Sequence, residues 1–391
     1  MKASSTGHAA PKPVKTVPIA LPSTGEEEWR ALLGPLSTGW LTQGPKVAEF
    51  EKAFALRQGV KHAVATTSCT TALHLILKAA GIGPGDEVIV PSFTWVATAN
   101  AVEYCGATPV FADIDPATFN IGHKSAGAKV ASRTKAVIAV HLFGLCADMD
   151  LLAEAVKGAI IVEDAACAAG GSFKGQPAGS LGVAGAFSFH PRKIITTGEG
   201  GMITTNDGAL AGKVNMLRNH GASSPEEARH QSPKPYLLPD FNDVGFNYRM
   251  TDLQGAVGLV QLRKLDGFLA ERRRWAQYYM RELADIGWLR LPNTPEGHEH
   301  GWQAFVTMVD EDKAPAGRDE IMDRLAAMGV ATRPGTHAAH TLGYYSRRYG
   351  LKPADCPNAY ACATKSMAIP LHNRMDESDY AYVVDCLKSL R

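Results

Sequence analysis

From about residue 60 to 205, short apolar runs alternate with stretches of helical period. His62–Thr66, Glu87–Val90, Pro109–Asp113, Ala136–His141, Ile160–Glu163, Ala186–His190 and Met202–Thr205 read as strands. Between the first two, Leu73, Ile76, Leu77 and Ala80 fall on one face of a helix predicted over Thr71–Ala80. Strands this apolar must be covered on both sides, and their alternation with helices supplies the cover. The pattern therefore predicts an α/β fold built on a seven-stranded, mostly parallel sheet.

The character changes after residue 207. A polar stretch with Pro233, Pro235 and Pro239 leads into a helix predicted over Thr251–Leu262, and then into a long charged helix carrying Glu271, Arg272, Arg273 and Arg274. From Gly287 onward, the strand Gln303–Val309 and the helix Arg318–Met328 predict a smaller α+β unit. The expected organisation is an amino-terminal arm over 1–18, a large domain over 19–262, and a small carboxyl-terminal domain with its linking helix over 263–391. The arm holds Lys2, Lys12 and Lys15 and no acid, and lacks the apolar core of a signal peptide. It reads as mobile.

Composition narrows the function classes. Forty basic and 39 acidic residues leave a net charge of +1, so no strong field draws the chain to nucleic acid or to an anionic membrane. No apolar run reaches the roughly 18 residues that span a bilayer. Seven scattered cysteines without C-x-x-C spacing read as reduced thiols, which predicts a cytoplasmic protein. His298-Glu299-His300 and His337-Ala338-Ala339-His340 lack the spacing of a helical zinc site, so no metal is expected. Gly81-Ile82-Gly83-Pro84-Gly85 precedes a strand and is read as a turn, not as a dinucleotide fingerprint.

The chemistry lies in an ordered set of residues. Lys193 follows the strand Ala186–His190 in a tight turn, and Asp164 ends the run Ile160-Ile161-Val162-Glu163-Asp164. Pyridoxal phosphate (PLP) needs this pair: an amine for a Schiff base with its aldehyde, and a carboxylate that keeps its ring nitrogen protonated. Thr67-Ser68-Cys69-Thr70-Thr71 opens a helix, where free N–H groups suit a phosphate dianion. Taken alone, those hydroxyls are ordinary N-caps. Trp95, in Ser92-Phe93-Thr94-Trp95, stands where a ring could stack on a flat cofactor, and core packing accounts for it equally well. Glu199-Gly200-Gly201 marks a close backbone approach or positive φ. Lys193 alone would be an unremarkable surface lysine, and the conjunction carries the reading.

Phe187-Ser188-Phe189-His190-Pro191-Arg192-Lys193, Thr196-Thr197-Gly198-Glu199-Gly200-Gly201 and Gly245-Phe246-Asn247-Tyr248-Arg249-Met250-Thr251-Asp252-Leu253-Gln254 resemble the motifs of the DegT/DnrJ/EryC1/StrS family of nucleotide-sugar aminotransferases. The likeness runs from about residue 19 to the end. It implies a fold-type I PLP enzyme acting as a homodimer with shared active sites. By motif, Lys193 is the Schiff-base lysine, Asp164 the partner of the pyridine nitrogen, and Trp95 the stacking ring. Cys69, Thr70 and Ser188 bind the phosphate, with Asn247 reaching over from the other subunit. Cys69 stands where many relatives have Gly. Cys167 stands where many have Gln or Glu against the ring hydroxyl, and a thiol bonds only weakly there.

The resemblance further implies two half-reactions. Glutamate aminates the cofactor to pyridoxamine phosphate, and the amine then passes to a 4-keto-6-deoxy nucleotide sugar. Lys193 carries the proton each way, with a pKa expected to be depressed beside a cationic site. The Thr196–Gly201 turn resembles the C4-aminating branch. Candidates for substrate contact are His190, Arg249, Arg333, His337 and His340, with Lys174 a further cation for the diphosphate. The rival readings are a C3- or cyclitol-aminating enzyme, a deoxysugar dehydratase (disfavoured by the lysine), and a non-enzymatic regulator (disfavoured by the intact Lys193 and Asp164).

Overall fold

The computed structural model describes residues 15–223, 236 and 238–390. Seven strands form the main sheet: β1 (His62–Thr66), β2 (Glu87–Pro91), β3 (Thr108–Ala112), β4 (Thr134–Val140), β5 (Ile160–Asp164), β6 (Ala184–Ser188) and β7 (Gly201–Thr205). Their spatial order is β1-β7-β6-β5-β4-β2-β3. The five strands from β6 to β3 run parallel, and β7 is antiparallel to both β1 and β6. All seven coincide with the apolar runs to within two residues. The reason is physical: strands such as β2, buried at every position, carry an almost unbroken apolar signal.

Two apolar clusters cover the two faces of this sheet. One gathers around Leu73, Ile76, Val90 and Ile138, the other around Phe50, Phe54, Phe187 and Phe189. The faces alternate residue by residue along a strand, so Ala186 enters one cluster and Phe187 the other.

Helix α1 (Glu26–Thr38) and helix α2 (Pro45–Gln58) both pack on a 31-residue helix, Asp252–Glu282. The two helices expected around residue 262 are thus one. Its early residues Leu259 and Leu265 join the sheet's core, while Trp275, Ala276 and Tyr279 join a third cluster. That cluster is built on a small sheet, Leu289–Arg290, Phe305–Val309 and Ser366–Ile369. The expected boundary at 262/263 falls inside the helix, where an apolar stripe changes partners without a break in period.

Residues 1–14 of the expected arm, together with Pro233 and Pro235, lie outside the described residues. Residues 15–18 are held in place, contrary to the arm reading. Val17 is buried and bridges to Val330 in the third cluster, and Lys15 pairs with Asp379.

Candidate active site

Helix α3 (Cys69–Ala79) starts two residues earlier than its periodicity predicted, because Ser68 caps it. Ser68 Oγ accepts from Thr71 N at 3.2 Å, and Thr71 Oγ1 donates to Ser68 O at 2.8 Å. Both hydroxyls are engaged in the cap, so the ordinary N-cap reading holds for these two. Among the described residues, the Thr70 hydroxyl and the Cys69 and Thr70 N–H groups keep their donors free. Gly201 shows how tightly this corner is built. A Cβ there would stand 2.4 Å from Ser68 C and 2.7 Å from Cys69 N. Gly201 also pairs with Ser188 on β6 and Thr66 on β1. Ser188, the α3 amino terminus and the glycine corner therefore form one cradle with unused donors.

Asp164 ends β5 and is 6% exposed. Three donors converge on its carboxylate: Thr98 Oγ1 at 2.8 Å, Ala166 N at 3.2 Å and Cys69 Sγ at 3.7 Å. Burial, then the neighbouring carboxylate, pushes the Cys69 thiol well above its ordinary value, so it stays a neutral donor. Sequence reasoning gave Cys69 a phosphate role and missed its thiol contact with Asp164. It also missed Thr98, whose signal was its place on the helix Ala97–Tyr104, three residues after Trp95. Thr98 N donates to Trp95 O, which ties the tryptophan to the aspartate's support. The Trp95 side chain is left 62% exposed, facing the ring of His337 at 5.6 Å. A large ring left this exposed is not core packing.

Lys193 is half-buried, and Lys193 Nζ contacts Cys167 Sγ at 3.1 Å. Burial alone would lower its pKa. The Cys167 sulfur, then Cys69 and Asp164, outweigh that, and the net shift is upward. The groups that raise it in the protein alone are the two sulfurs and the Asp164 carboxylate, whereas the expected depression concerned a lysine released beside a cationic site. The turn is held from several sides. Lys193 N donates to His190 O, Thr196 N donates to Gln261 Oε1, and Gln254 Nε2 donates to Glu199 O. Gln254 and Gln261 both lie on the helix Asp252–Glu282, so the second motif supports the first. His190 Nδ1 accepts from Arg192 N at 3.2 Å, and burial lowers its pKa, which leaves it a neutral brace of the turn.

The remaining candidates separate. Asn247 is exposed, and Tyr248 O beside it accepts from Thr67 N at the head of α3. Arg249 donates to Asn219 Oδ1, and its Nε is buried without a partner. Arg333 also has a buried, unpartnered Nε. His337 is exposed beside Trp95. His340 corrects the expectation of a pocket residue: it is fully buried, hydrogen-bonded to Ser92 Oγ and packed near Phe111. Lys174 pairs with the exposed Asp150 and is engaged there. A cavity of about 410 Å³ beside Glu51, His62 and Arg218 contains none of these groups.

The DegT/DnrJ/EryC1/StrS aminotransferase family matches residues 22–388. The chain belongs to this family. It is 41% identical to GDP-perosamine synthase of Caulobacter vibrioides, over 95% of this chain and 97% of that one. It is 40% identical to the spore coat polysaccharide biosynthesis protein SpsC of Bacillus subtilis, over 96% and 97%. Spr1654 of Streptococcus pneumoniae superposes with a TM-score of 0.90 in its PMP form and 0.89 in its PLP form, both at 29% identity over 96% and 98% of the chains.

As a DegT/DnrJ/EryC1/StrS aminotransferase, the protein is a PLP-dependent enzyme of the fold that its sheet order displays. The residues present fit that cofactor. The cradle that a Cβ at Gly201 would fill offers unused donors to a phosphate, a carboxylate without a salt-bridge partner among the described residues sits at the end of β5, and a lysine amine held only by the Cys167 sulfur stands near it.

Proposed function

We propose that this aminotransferase moves an amino group from glutamate to C4 of a 4-keto-6-deoxy sugar carried on a nucleoside diphosphate. The observation that carries the reading is the Thr196-Thr197-Gly198-Glu199-Gly200-Gly201 turn behind Lys193, in the form that resembles the C4 branch. The GDP-perosamine synthase relative supports a sugar carried on a nucleoside diphosphate as the acceptor. In this reading, PLP supplies an aldehyde that takes up the amine and a ring that draws electrons from the reacting carbon. Lys193 Nζ takes the proton from the α-carbon of the donor and later places one on C4 of the sugar. Asp164 holds the proton of the ring nitrogen, and Thr98, Cys69 and the Ala166 N–H keep its carboxylate aimed. Trp95 covers the ring and excludes water. The α3 amino terminus, Thr70 and Ser188 hold the phosphate.

The working unit in this proposal is a homodimer. Trp29, Leu33 and Leu36 stand exposed on α1, and Phe241 and Val244 stand exposed just before Asn247. Apolar surface next to an exposed, unengaged amide suits a partner subunit whose cofactor phosphate Asn247 would reach. The two-domain division, with its boundary inside the long helix, belongs to the same proposal. Among the described residues, no helix is long and apolar enough to cross a membrane.

The test is to incubate the enzyme with glutamate and each of the dTDP-, GDP- and UDP-linked 4-keto-6-deoxy sugars, and to locate the new amine by NMR. Nitrogen at C4 is expected. Nitrogen at C3, or reaction only with a free cyclitol ketone, would overturn the proposal.

A further inference from the structure

Two guanidinium groups around the Lys193 turn have no carboxylate partner among the described residues. Arg192 precedes the lysine in the turn, and its side chain is exposed and unbonded. Its carbonyl accepts from Gln303 Nε2 at 2.9 Å, which fixes the backbone that projects it. Arg333 arrives from the carboxyl-terminal part of the chain, where Arg333 and Ala368 exchange both backbone hydrogen bonds. Its Nε is buried and unpartnered. Arg333 lies within electrostatic reach of Arg192 and of Cys167, the group that touches Lys193 Nζ. His190 feels both arginines and Lys193. A buried donor without a partner is destabilising, and two like charges facing each other add to that. Such an arrangement is offset when an anion binds.

The nature of the anion follows from where the reaction occurs. An amino-acid donor carries a carboxylate one bond from the carbon that Lys193 deprotonates, so its anchor must lie close to the lysine amine. The diphosphate of a sugar nucleotide is separated from C4 by the sugar ring and belongs farther out. We infer that Arg333 binds the α-carboxylate of the amino donor and that Arg192, at the rim, binds the side-chain carboxylate, so that the pair selects a dicarboxylic amino acid. The inference rests on the aminotransferase reading and deepens its choice of glutamate.

The donor half-reaction can be followed without any sugar. Holoenzyme is mixed with glutamate, and the conversion of the PLP absorbance band to the PMP band is recorded against donor concentration. Arg333→Gln is expected to weaken apparent glutamate binding by about 30-fold or more, with Arg333→Lys intermediate. Arg192→Gln is expected to remove most of the preference for glutamate over glutamine, since it leaves the α-carboxylate anchor in place. Glutarate, which cannot react, provides a second readout. It is expected to raise the melting temperature of the wild-type holoenzyme and to lose that effect in both Gln variants. The 4-amino sugar nucleotide, run in the opposite direction, is expected to react with near wild-type apparent affinity in both. Weakened sugar-nucleotide reaction with the glutamate half intact would assign the arginines to the diphosphate and overturn the inference, as would glutamate binding and preference unchanged in both variants. If no amino sugar reacts at all, the C4 proposal fails while the donor measurements still judge this one.

Discussion

At the scale of single residues, the proposed mechanism gives Lys193 and Asp164 separable roles. Lys193→Ala removes the amine proposed to move the proton, and complete loss of transamination with an unchanged far-UV spectrum is the expected outcome. Asp164→Asn keeps the size of the side chain and can keep the bond from Thr98, but an amide does not hold a ring nitrogen protonated. Cofactor is expected to remain bound while turnover falls by about a hundredfold or more. Turnover within a few-fold of wild type would make Asp164 a structural residue only. The positions of both residues were legible in the sequence, because Asp164 ends one unmistakable strand and Lys193 follows another. The Cys69 thiol contact with Asp164 was not, since nothing in local sequence tells which way a helix-start side chain turns. His340 was misread for a related reason: its spacing from His337 carries no information on burial, and the structure seats it against Ser92 inside the core.

At the scale of elements, the sheet was legible and the helices less so. Continuous apolar runs fix buried strands, whereas one stripe that changes partners along Asp252–Glu282 reads as two helices. The glycine corner yields a sharp prediction. Gly201→Ala would drive a Cβ to 2.4 Å from Ser68 C, in backbone that cannot move without opening the α3 amino terminus. The expected cost is on the order of 1–3 kcal/mol of stability, with cofactor affinity lost alongside. Melting temperature and equilibrium dialysis of PLP measure the two effects, and a variant that binds PLP as wild type does would place the phosphate elsewhere.

At the scale of the whole molecule, two measurements probe the assembly and its acid limit. If Asn247 serves the partner's phosphate, mixing Lys193→Ala and Asn247→Ala subunits yields hybrid dimers with one site free of both changes. Activity above either parent is expected after subunit exchange, and none would put both residues in one chain's site. Burial lowers the pKa of His300 to about 3 and that of His74 to about 4, from an ordinary 6.5. The folded state then resists a proton that the unfolded chain accepts, so stability is full above pH 6.5 and declines as pH falls towards 4. A melting temperature that stays level across that window would contradict these burials.

The most direct test of the active-site assignment is chemical. Holoenzyme is treated with borohydride, digested, and its peptides are weighed for a pyridoxyl group. The account predicts that the label sits on Lys193 alone, in the peptide that begins after Arg192. A pyridoxyl group on any other lysine, or its absence from an enzyme that turns over, would contradict it.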